Sequence, residues 1–345
     1  MARVLVAMSG GVDSSVAAAL LRAQGHDVTG VTLKLWGGAQ DSGCCAVSDV
    51  EDARRVAAQL DIPHYVFNFS DDFTRNVVEP YVDAHARGAT PNPCVACNRT
   101  MKWGRLLERT RQLGFDRLAT GHHARLVTTP HGARLARSAD AAKDQSYVLA
   151  LLDASQLADT MLPLGDLTKT EVRAHAAQLD LRTATKPESM DVCFITKGGR
   201  QTFLDTRVPR APGRIVTAGG VDVGAHDGID RFTIGQRRGV GVALGERRYV
   251  IDVDAATSTV TVGERRELMR DRVQLDDVVL LDKPTNEQPL TAQLSAHGVP
   301  VACTFRAHDR VVHFRAPQPR VAPGQVVALY DGDVVVGGGI ASPTG

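Results

Sequence analysis

The sequence predicts an α/β protein built on a doubly wound parallel sheet, followed by small antiparallel β domains. Three observations carry this. Short apolar runs alternate with amphipathic helical segments through the first half of the chain. A glycine-rich turn, "AMSGGVDSS" at Ala7–Ser15, joins the first apolar run to the first helical segment. After about Pro212 the texture changes to short alternating runs rich in valine and glycine.

The elements follow in order. Val4, Leu5 and Val6 form an apolar run suited to a strand buried on both faces. Ser14 to Gln24 is rich in Ala and Leu and stops at Gly25, which predicts a helix. Asp27–Trp36 reads as the second strand. Ser48–Asp61 reads as a capped helix with Val50, Ala53, Val56, Ala57 and Leu60 on one face. Ile62–Phe69 is the third strand, Arg99–Leu113 a further helix, and Phe115–Arg125 a short strand with a polar turn after it. Thr168–Leu179 is a helix opened by Thr168 with Glu171 three residues on. Strands alternating with helices argue for a parallel sheet, whose ligands bind beyond the carboxyl ends of the strands. The alternating runs at 213–224, 248–263, 302–317 and 324–341 predict short antiparallel strands, and Leu281–Pro289 is expected near the boundary between two β domains.

Composition bounds the function. The chain has 345 residues, 43% hydrophobic and 23% charged, enough for two or three ordinary globular domains. The expected division is 1–205, including a helical part at about 145–205, then 206–275 and 276–345. A net charge of +1 requires any nucleic-acid surface to be a local patch. The opening "MARVLVAMSGG" does not read as a secretion signal and no segment has the length of a membrane span, so a cytoplasmic location is expected. In that setting six cysteines point to catalytic or metal-binding thiols before a disulfide framework.

The turn at Ala7–Ser15 suits a phosphate. A glycine turn at a helix start aims backbone N–H groups at the positive end of the helix dipole. Gly10 and Gly11 allow close approach, and Ser9, Ser14 and Ser15 add hydroxyls. It is neither a Walker loop, which needs Lys before Ser/Thr, nor a dinucleotide fingerprint. The ordinary alternative is a glycine turn capped by Asp13 or Ser14. Cys94 and Cys97 form a C-x-x-C at a helix start, where thiolates are stabilised. A zinc half-site, a redox pair and a cluster ligand all share that spacing, but no second C-x-x-C follows. Cys193, between Val192 and Phe194, taken alone reads as a core thiol. Arg99, Lys102, Arg105, Arg109 and Arg111, with Trp103 among them, make either a solvated face or a phosphate-tracking one. Arg237 and Arg238 are similar candidates. Cys44 and Cys45 read as a packed loop, Cys303 as core, and His122 and His123 as shaping a nucleotide pocket.

The string Ala7–Ser15 resembles the SGGxDS pyrophosphate loop of the N-type ATP pyrophosphatases. Together, "SGGVDSS", "NPCVACN", "TGHHAR", "KDQSY" and "ESMDVCF" stand in the order of one family, and nearly the whole chain resembles the bacterial tRNA-specific 2-thiouridylases. The resemblance implies a catalytic domain of the ATP-pyrophosphatase type and conversion of a tRNA wobble uridine to 2-thiouridine with ATP and a persulfide sulfur. By it, Ala7, Met8, Ser9, Gly10, Gly11, Val12, Asp13 and Ser14 hold ATP, and Leu33 and Gly121 line its adenine or ribose side. Cys97 matches the nucleophile and Cys193 the persulfide carrier. Asn92, Pro93 and Cys94 fall where the family meets the target base, and Lys143, Asp144 and Gln145 match a tRNA-contacting string. Magnesium would accompany ATP, with Asp13 as ligand or support, and a cysteine desulfurase or sulfur-relay protein would supply sulfur. Two departures matter: Cys94 stands where many members carry Asp, and Ser295-Ala296 where members often have an Arg-Tyr pair that contacts tRNA, for which Arg306 is a substitute candidate. Cys94, Cys97 and Cys193 could instead ligate a [4Fe–4S] cluster, and an adenylating ligase with another nucleophile or a non-enzymatic tRNA- or nucleotide-binding protein is the remaining alternative.

Overall fold

A computed structural model describes residues 1–36, 47–187, 192–195, 199–243 and 245–343. It divides into two compact units.

The first unit comprises Met1–Val77, Cys94–Lys197 and Asp333–Val335. Its centre is a parallel sheet of β1 (Arg3–Ala7), β2 (Asp27–Lys34), β3 (His64–Asn68), β4 (Arg117–Thr120) and β7 (Thr160–Met161), in the order β3-β2-β1-β4-β7. β5 (Arg125–Thr129) and β6 (Gly132–Ala136) form an antiparallel hairpin that the sequence pattern did not announce. β1 is central, and Val4, Leu5 and Val6 are each fully buried, as an apolar strand covered on both faces must be. Helix α1 (Val12–Ala23) covers the sheet with Val16, Ala17 and Ala18, and α2 (Val47–Gln59) adds Ala53, Val56 and Ala57 to the same core. The helix Lys169–Gln178 contributes Val172 and Ala176 to that core, so this part of 145–205 is a layer of the α/β unit itself. Its capping box is the one read from sequence: Thr168 accepts from the Glu171 backbone N–H, and Glu171 accepts from the Thr168 backbone N–H.

The helix expected at Arg99–Leu113 begins earlier and changes pitch. Pro93–Ala96 is α-helical, Cys97–Leu106 is a π-helix, and Leu107–Gln112 is α-helical again. Met101, Trp103, Leu106 and Leu107 are buried along it. Trp103, grouped with the basic residues in the sequence, is 2% exposed, and its Nε1 donates to Thr160 Oγ1 at 2.7 Å.

The second unit comprises Val78–Pro93, Gly198–Gly332 and Val336–Gly345. Tyr249–Asp254, Thr259–Gly263, Gly213–Thr217 and Asp222–His226 form one small sheet in that order. Thr259–Gly263 and Gly213–Thr217 run parallel, against the antiparallel expectation for this pair. Met269–Leu280 pairs with Val311–Pro319 at one end of the second sheet and with Val334–Ala341 at the other, which closes a barrel around Leu275, Phe305, Val312, Val327 and Leu329. The division at 275/276 therefore falls inside a strand of this barrel. The change between the two sheets lies at the short helix Arg265–Leu268, and Leu281–Pro289 is a loop between barrel strands.

Candidate active site

In a sheet of order β3-β2-β1-β4-β7 the connections leave β1 toward opposite sides, so the carboxyl ends of β1 and β4 flank a crevice. The glycine turn follows β1, and Gly121-His122-His123 follows β4. The two loops touch. A Cβ on Gly121 would lie 2.6 Å from the Ser14 backbone nitrogen, a distance that only glycine allows. Gly10 has φ +74°, and a Cβ there would lie 2.2 Å from the Asp49 carbonyl oxygen.

The turn is held from below. The Met8 N–H donates to Val31 O at 2.8 Å, and Thr32 Oγ1 donates to Met8 O at 2.8 Å. The Thr32 hydroxyl can then only accept from His64 Nε2, 2.9 Å away. Inside the turn, the Ser9 N–H donates to Ser14 Oγ at 3.1 Å, and Ser15 Oγ donates to Gly11 O at 2.8 Å. Gly11 is the N-cap of α1 and provides no side-chain cap hydrogen bond, so neither Asp13 nor Ser14 closes the helix start. First-turn N–H groups without a cap are the donors an anion uses. Met8, Val12 and Leu33 are buried, so these three shape the crevice from beneath.

Asp13 is caged. Lys169 Nζ donates to both of its oxygens at 2.7 Å, and His123 Nε2 donates to Oδ1 at 3.3 Å. Burial pushes the Asp13 carboxyl up, but the hydrogen bonds from His123 and Lys169 and their charges outweigh it, and the carboxyl lies below its usual range. Lys169 is itself fixed, since its backbone N–H donates to Asp140 Oδ2 at 2.9 Å. On the other side of the turn, Lys186 Nζ donates to Gly10 O at 3.0 Å, Asp49 Oδ1 at 2.6 Å and Asp52 Oδ2 at 2.7 Å. Partial burial pushes Lys186 down, but these two carboxylates raise it overall. Sequence reasoning missed both lysines. Lys169 stood beside the capping box and Lys186 opened the Cys193 motif, but a pairing across more than 130 residues leaves no local pattern.

Gln145 joins this site: the His123 N–H donates to Gln145 Oε1 at 2.9 Å, and the Gln145 N–H donates to His123 O at 2.8 Å. Asp144 is engaged within the fold, accepting from the Ser138 and Ser146 N–H groups, Ser146 Oγ and Arg137. The Lys143 N–H donates to Asp140 O at 3.0 Å.

Cys94, Cys97, Cys193 and Cys303 are not joined in disulfides. The Cys94 side chain reaches solvent at the start of its helix. The protein around it nevertheless pushes its thiol up, and the Lys102 charge offsets only part of this. Cys97 and Cys193 are half-buried, and Phe194, after Cys193, is wedged against Phe73 at 5.7 Å and Trp36 at 6.3 Å. Cys303 is core, with burial pushing its thiol up to about 12. Among the described residues no three His, Cys, Asp or Glu side chains converge to hold a metal ion, so Cys94, Cys97 and Cys193 as placed do not form the ligand set of a cluster. Cys44 and Cys45, and Glu188–Asp191 of the Cys193 motif, lie outside the described residues. The basic helix is divided in its contacts: Arg105 pairs with Asp72 and Glu108, Arg111 with Asp159, and Lys102 turns to His122. In the second unit, Asn92 precedes the Cys94 helix and Pro93 is its first residue. The Ser295 and Ala296 carbonyls accept from Gln293 Nε2, and Arg306 lines an open cavity of about 660 Å³ with Thr304, His308 and His313.

A parallel sheet with an uncapped glycine turn at its switch point defines a nucleotide-binding domain of the ATP-pyrophosphatase type, and residues 2–197 match the tRNA methyl transferase HUP domain. Residues 201–264 match the tRNA methyl transferase PRC-barrel domain, and residues 270–341 the aminomethyltransferase beta-barrel domain. The chain is 46% identical over 366 residues to the tRNA-specific 2-thiouridylase MnmA of Roseiflexus castenholzii, covering 98% of this chain and 99% of that one. It is 46% identical over 352 residues to that of Thermobifida fusca, covering 99% and 96%, and 44% identical over 357 residues to that of Desulforamulus reducens, covering 99% and 97%. The chain belongs to the tRNA-specific 2-thiouridylase family.

Proposed function

We propose that this enzyme thiolates C2 of the tRNA wobble uridine in two stages, adenylation of the C2 oxygen and then displacement of AMP by sulfur carried on Cys193. The observation that carries the reading is the meeting of the uncapped turn with Gly121 at the switch point, in the unit that also holds Cys97 and Cys193, neither of them in a disulfide.

The C2 oxygen is a poor leaving group, and its transfer to the α-phosphate of ATP makes it the oxygen of AMP. Ala7 to Ser14 would hold the expelled pyrophosphate by oriented N–H groups, with Leu33 and Gly121 on the nucleoside side. Asp13 acts as a support: it holds Lys169 at the crevice, where an ammonium neutralises phosphate charge. Magnesium commonly neutralises phosphate oxygens in such reactions. Both Asp13 oxygens are already taken by Lys169, so the residues as placed do not fit a magnesium ion bound directly to Asp13.

The sulfur stage uses two thiols. With a persulfide on Cys193, the Cys97 thiolate attacks the Cys193 sulfur, a Cys97–Cys193 disulfide forms, and hydrosulfide leaves. Hydrosulfide attacks C2, AMP departs, and a proton is released. Cellular dithiols supply the two electrons that reset the disulfide. A cysteine desulfurase or a relay protein would load Cys193. Cys94, with its raised thiol, stays protonated and occupies the place of a carboxylate without its charge. Asn92 and Pro93 would meet the target base, and Lys143 and Gln145 would contact tRNA, while Asp144 orders their loop. The three stretches 2–197, 201–264 and 270–341 act as one catalytic and two accessory domains.

Cys193→Ser should lose persulfide labelling, while Cys97→Ser keeps the label and makes no 2-thiouridine. If both variants thiolate tRNA at the wild-type rate, the two-thiol scheme is wrong.

A further inference from the structure

We propose that Lys102 is the fixed positive charge of the sulfur-transfer stage, an ammonium held by the His122 ring next to Cys97 so that the attacking sulfur is ionised. The proposal deepens the two-thiol reading and rests on it.

The π-helix is the first argument. Fewer than one residue in a hundred is π-helical, and such segments gather at functional sites because the extra residue re-aims side chains. Here the segment begins at Cys97 and runs to Leu106. With hydrogen bonds from i to i+5, Cys97 and Lys102 become neighbours across one turn. Met101 and Trp103 on either side of Lys102 are buried, which fixes the direction in which Lys102 leaves the helix.

The second argument is what Lys102 touches. Its Nζ lies 3.3 Å from His122 Nε2. An ammonium only donates, so Nε2 carries no proton and the ring's proton is on Nδ1, which donates to Thr120 Oγ1 at 2.7 Å. The ring lies 5.4 Å from the Trp103 ring, and Trp103 is anchored through Nε1 to Thr160. Burial, then the charges of Lys102 and His123, push His122 well below its ordinary value, so the ring stays neutral and keeps accepting.

Charge balance is the third. Among the described residues Arg105 and Arg111 on the same helix pair with carboxylates, whereas Lys102 has no carboxylate partner and is bound to a neutral ring. Its charge is therefore not cancelled locally and reaches the thiols of its own helix, as its pull on Cys94 shows. The groups recorded against it are Cys94 on its own helix and His122 from the loop after β4. Asp72 is held by Arg105, Tyr147 is buried, and Asp13 beyond His123 is held by Lys169.

The test is Cys97 alkylation by iodoacetamide, read by peptide mapping across pH, in wild type, Lys102→Met and Lys102→Arg, together with tRNA-dependent AMP formation and 2-thiouridine yield. The expectation is that Lys102→Met raises the midpoint of Cys97 reactivity by about one pH unit, which is about a tenfold loss of rate at neutral pH. It lowers 2-thiouridine formation similarly but leaves single-turnover adenylation within about twofold, and Lys102→Arg restores both. His122→Ala, which frees Lys102 without removing it, gives a smaller shift in the same direction. An unchanged Cys97 profile in a folded Lys102→Met protein overturns the proposal, as does a loss of adenylation as large as the loss of thiolation. A wild type that alkylates as described but never thiolates tRNA overturns the two-thiol reading instead.

Discussion

In the proposed mechanism the Asp13–Lys169 ion pair serves both stability and chemistry. Asp13→Asn leaves the Lys169 ammonium, 11% exposed at its side chain, facing a neutral amide. The loss, discounted for the partial exposure of Asp13, is expected at about 1–3 kcal/mol in urea unfolding, with AMP formation abolished. The Asp13 pKa is depressed in the fold, so its contribution is complete above the unfolded value of 3.8 and is lost as pH falls below it through the folded one. Neutral-pH stability is therefore indifferent to its titration. Thiol reactivity gives a second check. Cys94 should alkylate more slowly than a peptide thiol at pH 7, and Cys303, held up to about 12, should stay unlabelled until the chain unfolds. A native protein that labels Cys303 quickly at pH 8 contradicts the buried placement. Asp13, Cys97 and Cys193 could be picked out as candidates in the sequence because each sits in a compact motif. Lys169, Lys186 and the Lys102–His122 contact could not, because their meaning lies in partners that only the tertiary fold supplies.

Among the elements, the parallel sheet followed from alternation of apolar runs and helical segments, and the glycine turn lies at its switch point, while the strand order came from the structure alone. What escaped were features without a periodic signature. A π-helix differs from an α-helix by about one residue per turn, too little to read from Cys97–Leu106, where core positions and charges are interleaved. The parallel pairing of Thr259–Gly263 with Gly213–Thr217 escaped because short alternating strands carry no mark of direction. The contact between the β4 loop and α1 also belongs to this scale. Gly121→Ala would drive a Cβ to within 2.6 Å of the Ser14 nitrogen, and one of the two loops must move. ATP binding by titration calorimetry should weaken at least roughly tenfold, about 1.4 kcal/mol, with the melting temperature lowered by only a few degrees. Unchanged affinity would remove Gly121 from the nucleotide site.

Across the whole molecule, buried histidines set the response to acid, His122 in the first unit and His85 in the second. His85 in the second unit is 2% exposed, stacked edge-on against Tyr81 at 4.6 Å, with Nε2 buried and unpartnered. Burial, followed by the Arg200 charge, pushes it down to about 4, only slightly countered by Asp230. A depressed histidine supports the fold fully above its unfolded value of 6.5, and that support drains as pH falls toward 4, by about 3 kcal/mol. The protein should therefore lose stability between pH 6.5 and 4, above the range in which Asp13 titrates, and His85→Leu should reduce that slope. The central claim is that this chain makes 2-thiouridine in tRNA through ATP activation and two thiols, and one measurement reaches it directly. Purified protein is given a tRNA transcript with a wobble uridine, ATP with magnesium, and a cysteine desulfurase with cysteine, and the digested tRNA is analysed by mass spectrometry. The account predicts one 2-thiouridine per AMP and pyrophosphate released, all dependent on tRNA, and no 2-thiouridine from Cys97→Ser or Cys193→Ser. Tight nucleotide and tRNA binding without AMP release, or thiolation that survives loss of both cysteines, would contradict it.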